Sequence, residues 1–215
     1  MLKRLRHWLG RRAQDGPERW LVLDVESSGL DARRDRLIAI AAVAVRVGEA
    51  GPAVMLGDSF EVVLRQPAPA QPDKANIMLH GIGLGEQLAG REPAQALQDF
   101  LDFVGASPLV AFHAAFDRTL IERALRSAGL PRLRNPWLDL EPLAAVLQPK
   151  VRARSLDEWL GHFGIRCLQR HQAAADTLAT AELLQRLWPA LRAECARPRF
   201  ADALALAAQR RWMPD

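Results

Sequence analysis

Apolar positions recur along this chain with two periods, and the change between them divides it. Three apolar runs come first: Trp20 to Glu26, Leu37 to Val47 (rich in Ile, Val and Ala), and Ser59 to Leu64. Such runs predict strands. Gly51-Pro52 and Gly57-Asp58 mark a turn region between the second and third, so the outline is an antiparallel meander. QPAPAQP, residues 66–72, reads as a Pro-rich loop. From Pro93 the spacing becomes helical, with Ala96, Leu97, Phe100, Leu101 and Val104 on one face. PLVAF at 108–112 is a short buried strand, 116–128 a helix ended by Gly129 and Pro131, and 137–140 a short strand. Helices follow over 155–163 and 173–187. Strands first, then strands alternating with helices, predict an α/β fold: a mixed sheet flanked by helices.

Two ends stand apart from this body. Leu2, Leu5, Trp8 and Leu9 recur at helical spacing among Lys3, Arg4, Arg6, Arg11 and Arg12, which predicts a basic amphipathic helix ended by Asp15-Gly16-Pro17. The tail from Pro189 to Arg211 reads as helical with a break at Pro198, and its Phe200, Leu204 and Leu206 suit packing on the main body or contact with a partner. The expected organisation is therefore an N-terminal extension (1–17), a main domain (18–187) and a C-terminal helical tail (188–215).

Composition narrows the classes. The 215 residues are 49% hydrophobic, enough for one domain with a sizeable core. Formal net charge is +4, carried almost wholly by arginine, because Lys3, Lys74 and Lys150 are the only lysines. Arginine suits phosphate contact, and a small positive balance permits a nucleic-acid partner without requiring one. Cys167 and Cys195 form no C-x-x-C pattern, so neither a disulfide framework nor a zinc knuckle is indicated, which fits a reducing cytoplasm. No apolar run approaches the ~20 residues of a membrane span.

The first strand, LVLDVESSGL at 21–30, carries the chemistry. Asp24 and Glu26 are separated by one residue, so on a strand they share a face. Two carboxylates side by side at a buried sheet repel each other, and burial makes the charged forms costlier. A D-x-E pair by itself says little in a chain with 25 acids, but this one ends an apolar strand and is followed by Ser27-Ser28-Gly29, where sites form in helix-flanked sheets. Asp117 stands just after the strand 109–112, near a helix start, where the helix dipole alone favours an acid. His171 and Asp176 are five positions apart, about 140° on a helix, so they converge only if His171 precedes the helix. Taken together, Asp24, Glu26, Asp117 and Asp176 could share one site if a positive charge offsets their repulsion. Oxygen ligands select Mg²⁺ or Mn²⁺, and two such ions roughly 4 Å apart clamp the attacking and leaving oxygens of a phosphodiester. An imidazole beside them can take the proton of the attacking water.

These stretches, with HGI at 80–82, FHAAFD at 112–117 and SLDEWLGHFGIRCLQRHQAAADTLATAELL at 155–184, resemble the DnaQ-like 3′→5′ exonucleases with Asp-Glu-Asp-Asp-His residues, which include the proofreading subunit of bacterial replicative polymerases. The resemblance covers about residues 20–187 and lies in the ordered set rather than in any one motif. It implies a ribonuclease H-like fold with a mixed five-stranded sheet. It implies Asp24, Glu26, Asp117 and Asp176 as ligands of two divalent metal ions, and His171 as general base. Leu30 matches the apolar wedge against the terminal base, while Ser27, Ser28 and Gly29 match the stretch beside the 3′ end. The second motif departs from the family: Phe112 and His113 stand where His-Asn is usual, which makes His113 a candidate substrate contact. His80 is a second candidate, with a loop-structuring role as the alternative. Arg118, Arg123, Arg152, Arg154 and Arg170 lie near the motifs and are candidate phosphate contacts.

The expected activity is metal-dependent removal of nucleoside 5′-monophosphates from a single-stranded 3′ end, DNA first. A polymerase subunit is a possible partner. The alternatives are an RNA-trimming enzyme of the same family and a non-catalytic interaction module.

Overall fold

The computed structural model describes residues 17–68 and 74–212. The expected N-terminal basic helix, and most of the Pro-rich loop, lie outside the described residues.

One five-stranded sheet organises the chain, with strands β1 (Glu18–Ser27), β2 (Leu37–Gly48), β3 (Gly51–Val63), β4 (Leu109–Ala111) and β5 (Trp137–Asp139). Their order across the sheet is β3-β2-β1-β4-β5. β1 pairs antiparallel with β2 and parallel with β4; β3 is antiparallel to β2, and β5 is parallel to β4. The sheet is mixed and flanked by helices, as the pattern of runs predicts.

Alternation along β1 sorts its residues onto two cores. Trp20 and Val22 face one core, built with α5 (Leu140–Leu147), α6 (Leu156–Phe163), α7 (Ala173–Glu194) and α8 (Phe200–Ala207). Leu21, Leu23 and Val25 face the other, built with α3 (Pro93–Val104) and α4 (Ala114–Ser127). Asp24 and Glu26 continue the row of Trp20 and Val22, so both carboxylates fall on the α7 side.

Some boundaries differ from expectation. The third strand begins at Gly51 rather than Ser59, because Glu49-Ala50 already closes a two-residue hairpin between Gly48 and Gly51. Gly57-Asp58 is not a turn between strands. It lies in an irregular stretch within β3, where the register slips between Val43 and Ala44 of β2. Asp58 is fixed there by Arg19 of β1 through two hydrogen bonds of 2.8 and 2.7 Å. Two short helices, α1 (Lys74–His80) and α2 (Leu84–Ala89), and α5 add to the expected set. α7 runs through Pro189 to Glu194, with Trp188 and Leu191 buried. Phe200 of α8 packs edge-on against Trp20, with ring centroids 5.0 Å apart. Leu204 and Leu206 pack against the same core.

Candidate active site

Four acids gather where β1 ends, each delivered by a different local device. The pleat of β1 places Asp24 and Glu26 on one face. Asp117 sits in the first turn of α4, and Asp176 in the first turn of α7. Only 9%, 3% and 5% of Glu26, Asp117 and Asp176 is exposed, so these are buried carboxylates and not solvated helix-start acids.

Both turns leading into those helices pass through a left-handed residue: His113 at φ 58° before α4 and His171 at φ 61° before α7. Such φ values are uncommon outside glycine and concentrate at functional sites. His171 thus lies in the turn before the helix, the arrangement that the five-residue spacing requires for convergence. Its backbone N–H donates to Asp176 Oδ2 at 3.1 Å, and its side chain stays exposed. The backbone N–H of His113 donates to Asp139 Oδ1 at 3.0 Å. Asp139 also caps α5, accepting from the N–H of Glu141. This ties the α4 turn to the end of β5, a link with no signal in the sequence.

The electrostatics follow from that crowding. Burial, then the neighbouring Asp176, pushes Asp24 up to about 8, and the guanidinium of Arg170 pulls the other way. Burial, then Asp24 and Asp176, pushes Glu26 up to about 9. Asp117 is raised well above its ordinary value by burial and by Asp24. The acids are close enough to resist one another's ionisation, so the site is short of positive charge.

Arg170 supplies one cation. It forms an ion pair with Asp176 and a second with Asp157 of α6, Nε to Oδ1 at 2.5 Å. Cys167 Sγ lies 3.5 Å from Asp176 Oδ1. Arg170 stands in the sequence as one of several arginines near the motifs, and nothing in the residue order tells that it bridges two acids.

The donor set fits hard divalent cations. All four candidate ligands offer carboxylate oxygens, and Glu26 Oε1 is buried without a hydrogen-bond partner, which an ion would satisfy. Among the described residues no three His, Cys, Asp or Glu side chains stand ready-placed around a common ion position. Asp176 is the group to reorient, since its carboxylate is engaged by Arg170 and the His171 amide.

The stretch after β1 is organised as a loop. Ser27 Oγ donates to the Gly29 carbonyl at 2.5 Å, and Ser28 Oγ bonds Asp35 at 3.1 Å. A Cβ on Gly29 would come 2.6 Å from the Asp35 carboxylate, so a side chain there would have to displace that carboxylate from its bonds to Ser28 and the Asp31 N–H. Leu30 is 90% exposed, an apolar side chain presented to solvent three residues beyond the strand.

His80 requires a correction. Expected as a possible substrate contact, it is 2% exposed with both ring nitrogens engaged. Nδ1 accepts from the Ile82 N–H at 3.0 Å, and Nε2 lies 2.9 Å from Asn76 Oδ1. Burial holds its pKa below the usual histidine value, which keeps it neutral. Asn76 in turn donates to the Ser27 carbonyl at 3.1 Å. His80 therefore shapes the loop beside the acids from behind, and the Asn-x-x-x-His spacing on α1 is the signal that could have found the pair. Among the candidate phosphate contacts, Arg123 is also structural: its guanidinium donates to the carbonyls of Ala32 and Asp35 at 2.6 and 2.8 Å.

A mixed five-stranded sheet whose central strand ends in a carboxylate cluster, completed by acids at two helix starts, defines a ribonuclease H-like fold of the DnaQ-like 3′→5′ exonuclease kind. The family model of RNase T exonucleases matches residues 21–184, and the chain belongs to this exonuclease family. It is 34% identical over 171 residues to the PolC-type DNA polymerase III of Bacillus cereus, covering 79% of this chain and 11% of that one. The corresponding protein of Clostridium perfringens is 32% identical over 170 residues, covering 78% and 11%. The chain thus spans about a tenth of the length of these polymerases. Among solved structures, exonuclease I of E. coli in complex with a dT13 oligonucleotide superposes with a TM-score of 0.67 at 16% identity, over 79% of this chain and 41% of that chain. Cell-death related nuclease 4 superposes with a TM-score of 0.65 at 16% identity, over 79% and 63%. No described helix is long and apolar enough to cross a membrane.

Proposed function

We propose that this chain is a metal-dependent 3′→5′ exonuclease that hydrolyses the terminal phosphodiester of single-stranded nucleic acid, DNA above RNA, and releases nucleoside 5′-monophosphates. The observation that carries this reading is the buried cluster of Asp24, Glu26, Asp117 and Asp176, in which burial and then neighbouring carboxylates raise the pKa values of Asp24, Glu26 and Asp117. Those four side chains would hold two divalent ions, Mg²⁺ or Mn²⁺. Bound there, such ions would supply charge neutralisation at the scissile phosphate and activation of the attacking water.

The chain's own residues then have distinct tasks. His171, exposed on its left-handed turn with its backbone amide fixed to Asp176, would accept the proton of the attacking water. Ser27, Ser28, Gly29 and Leu30 form the loop against which the terminal nucleotide would rest, and Leu30 offers an apolar surface to its base. His113, exposed on the turn before α4, is a candidate contact on the other side. DNA is favoured because the related proteins are DNA polymerases and the superposing exonuclease I binds oligodeoxynucleotides. A polymerase partner and a cytoplasmic location belong to the same reading.

The test is digestion of 3′- and 5′-labelled single-stranded DNA and RNA with Mg²⁺, Mn²⁺ or EDTA, beside Asp24→Ala. Stepwise shortening from the 3′ end that needs both metal and Asp24 is the expected result. Metal-independent cutting, or parental activity in the variant, rejects the site.

A further inference from the structure

The exposed arginines of this chain are not spread evenly. Arg33, Arg34 and Arg36 occupy the loop between β1 and β2, and Arg118, Arg132 and Arg134 line a groove of roughly 560 Å³ between α4 and the segment that follows it. Arg123 fastens the loop to α4, its half-buried guanidinium donating to the carbonyls of Ala32 and Asp35. With Arg123 counted, and Asp31, Asp35 and Glu122 set against them, these two groups hold a positive surplus equal to the chain's whole formal net charge of +4. Two of those acids are spent locally, Asp31 on Arg34 and Glu122 on Arg118.

Both arms of the face begin at the acid cluster. Arg118 directly follows Asp117 on α4, and the arginine loop is bonded to Ser28 through Asp35. From there the face runs along α4, whose 14 residues extend about 21 Å. The groove is lined by Arg118, Glu122, Arg132, Leu133 and Arg134, with no aromatic ring or amide side chain among them. Such a lining offers charge to phosphates and no ring on which bases could stack.

We propose that this arginine face is the track for the sugar-phosphate backbone of a single strand leading away from its 3′ end, several nucleotides upstream of the bond that is cut. The inference rests on the exonuclease reading of the acid cluster and adds where the rest of the substrate lies. It makes the strand's hold independent of base sequence and strongly dependent on salt.

The experiment compares wild type with Arg132→Gln/Arg134→Gln, Arg33→Gln/Arg34→Gln/Arg36→Gln, and a control of equal kind on the opposite face, Arg192→Gln/Arg197→Gln. Binding of a 5′-labelled oligothymidylate is followed by anisotropy in EDTA over a range of salt. Hydrolysis of the p-nitrophenyl ester of thymidine 5′-monophosphate, too short to reach the groove, is followed with Mn²⁺. For the first double variant we expect affinity to fall about tenfold and the log–log salt slope to drop by ~1.4, about 0.7 per lost phosphate contact. The triple variant should lose more, while ester hydrolysis and the control stay at wild-type levels. Unchanged binding in both the groove and the loop variant, equal loss in the control, or loss of ester hydrolysis alongside binding overturns the track, as does a wild type that binds no strand. A wild type that binds with the expected dependence and cuts nothing removes the exonuclease reading and leaves the strand-binding face standing.

Discussion

Replacing Asp24 by asparagine should stabilise the metal-free protein, and by more at high pH. Asp24 rises from 3.8 to about 8 in the folded chain because burial and Asp176 oppose its charge. Below pH ~4 the folded and unfolded chains both keep this proton, and the fold bears no penalty. As pH rises, the unfolded chain ionises while the folded one holds the proton until about 8, so stability is lost progressively between those two values. At about 1.4 kcal/mol per decade, roughly four decades of proton affinity set an upper limit of ~6 kcal/mol. Asp24 is only partly buried, so solvent screens part of this, leaving roughly 2–3 kcal/mol at pH 8. For a domain of this size that corresponds to a Tm gain of about 5–10 °C. The assay is thermal unfolding of wild type and Asp24→Asn in EDTA at pH 5, 6.5 and 8, followed by addition of Mn²⁺. The variant should lead at pH 8, converge with wild type towards pH 5, and gain less than wild type from the ion. A variant no more stable than wild type at pH 8, or a gap that does not shrink at pH 5, refutes mutual repulsion as the state of this cluster.

Three other outcomes are expected. Arg170→Met removes the resident cation from Asp176 and should tighten Mn²⁺ binding about tenfold, ~1.4 kcal/mol, by calorimetry; equal affinity would show that Arg170 does not compete with the ion. His171→Ala should slow hydrolysis by roughly 10²–10⁴-fold with the melting temperature kept, and near-parental rates at neutral pH would take His171 out of proton transfer. Phe200→Ala leaves a cavity against Trp20 and should cost ~3–5 kcal/mol in urea unfolding; a loss below ~1 would mean that α8 lies on the domain without contributing to its core.

What could be read from residue order was whatever a local period carries. The alternation of β1 put Asp24 and Glu26 on one face, and the angle between His171 and Asp176 required a turn that the structure places at a left-handed His171. The same local rules misjudged Gly57-Asp58. Gly-Asp favours a turn wherever nothing else intervenes, but here Arg19 of a distant strand grips Asp58 and keeps the segment within β3. They also missed α1 and α2. Helices of 7 and 6 residues have little stability of their own, and these are held by tertiary bonds such as Asn76 to the Ser27 carbonyl and the Gln66 N–H to the Gln87 carbonyl.

Charge explains why the hidden part of the site is of one kind. Four acids can be brought to one strand end only if their neighbours are chosen to relieve or isolate them, and those neighbours come from wherever the fold passes. Arg170 arrives from the turn before α7 and is anchored by Asp157 of α6. Asp139, at the end of β5, fastens the turn that carries Asp117's helix. His80 is kept neutral by burial, so it orders the Ser27 loop without adding a charge. Asp139 and His80 form no motif with the acids they serve, because their contacts are made across the sheet or through a loop, and Arg170, six positions before Asp176, is held by Asp157 from another helix. Substitutions at Arg170, Asp139 or Asn76 should therefore alter how the acids are held while leaving every recognisable motif intact, so changes at these supporting positions can inactivate the site without disturbing any motif.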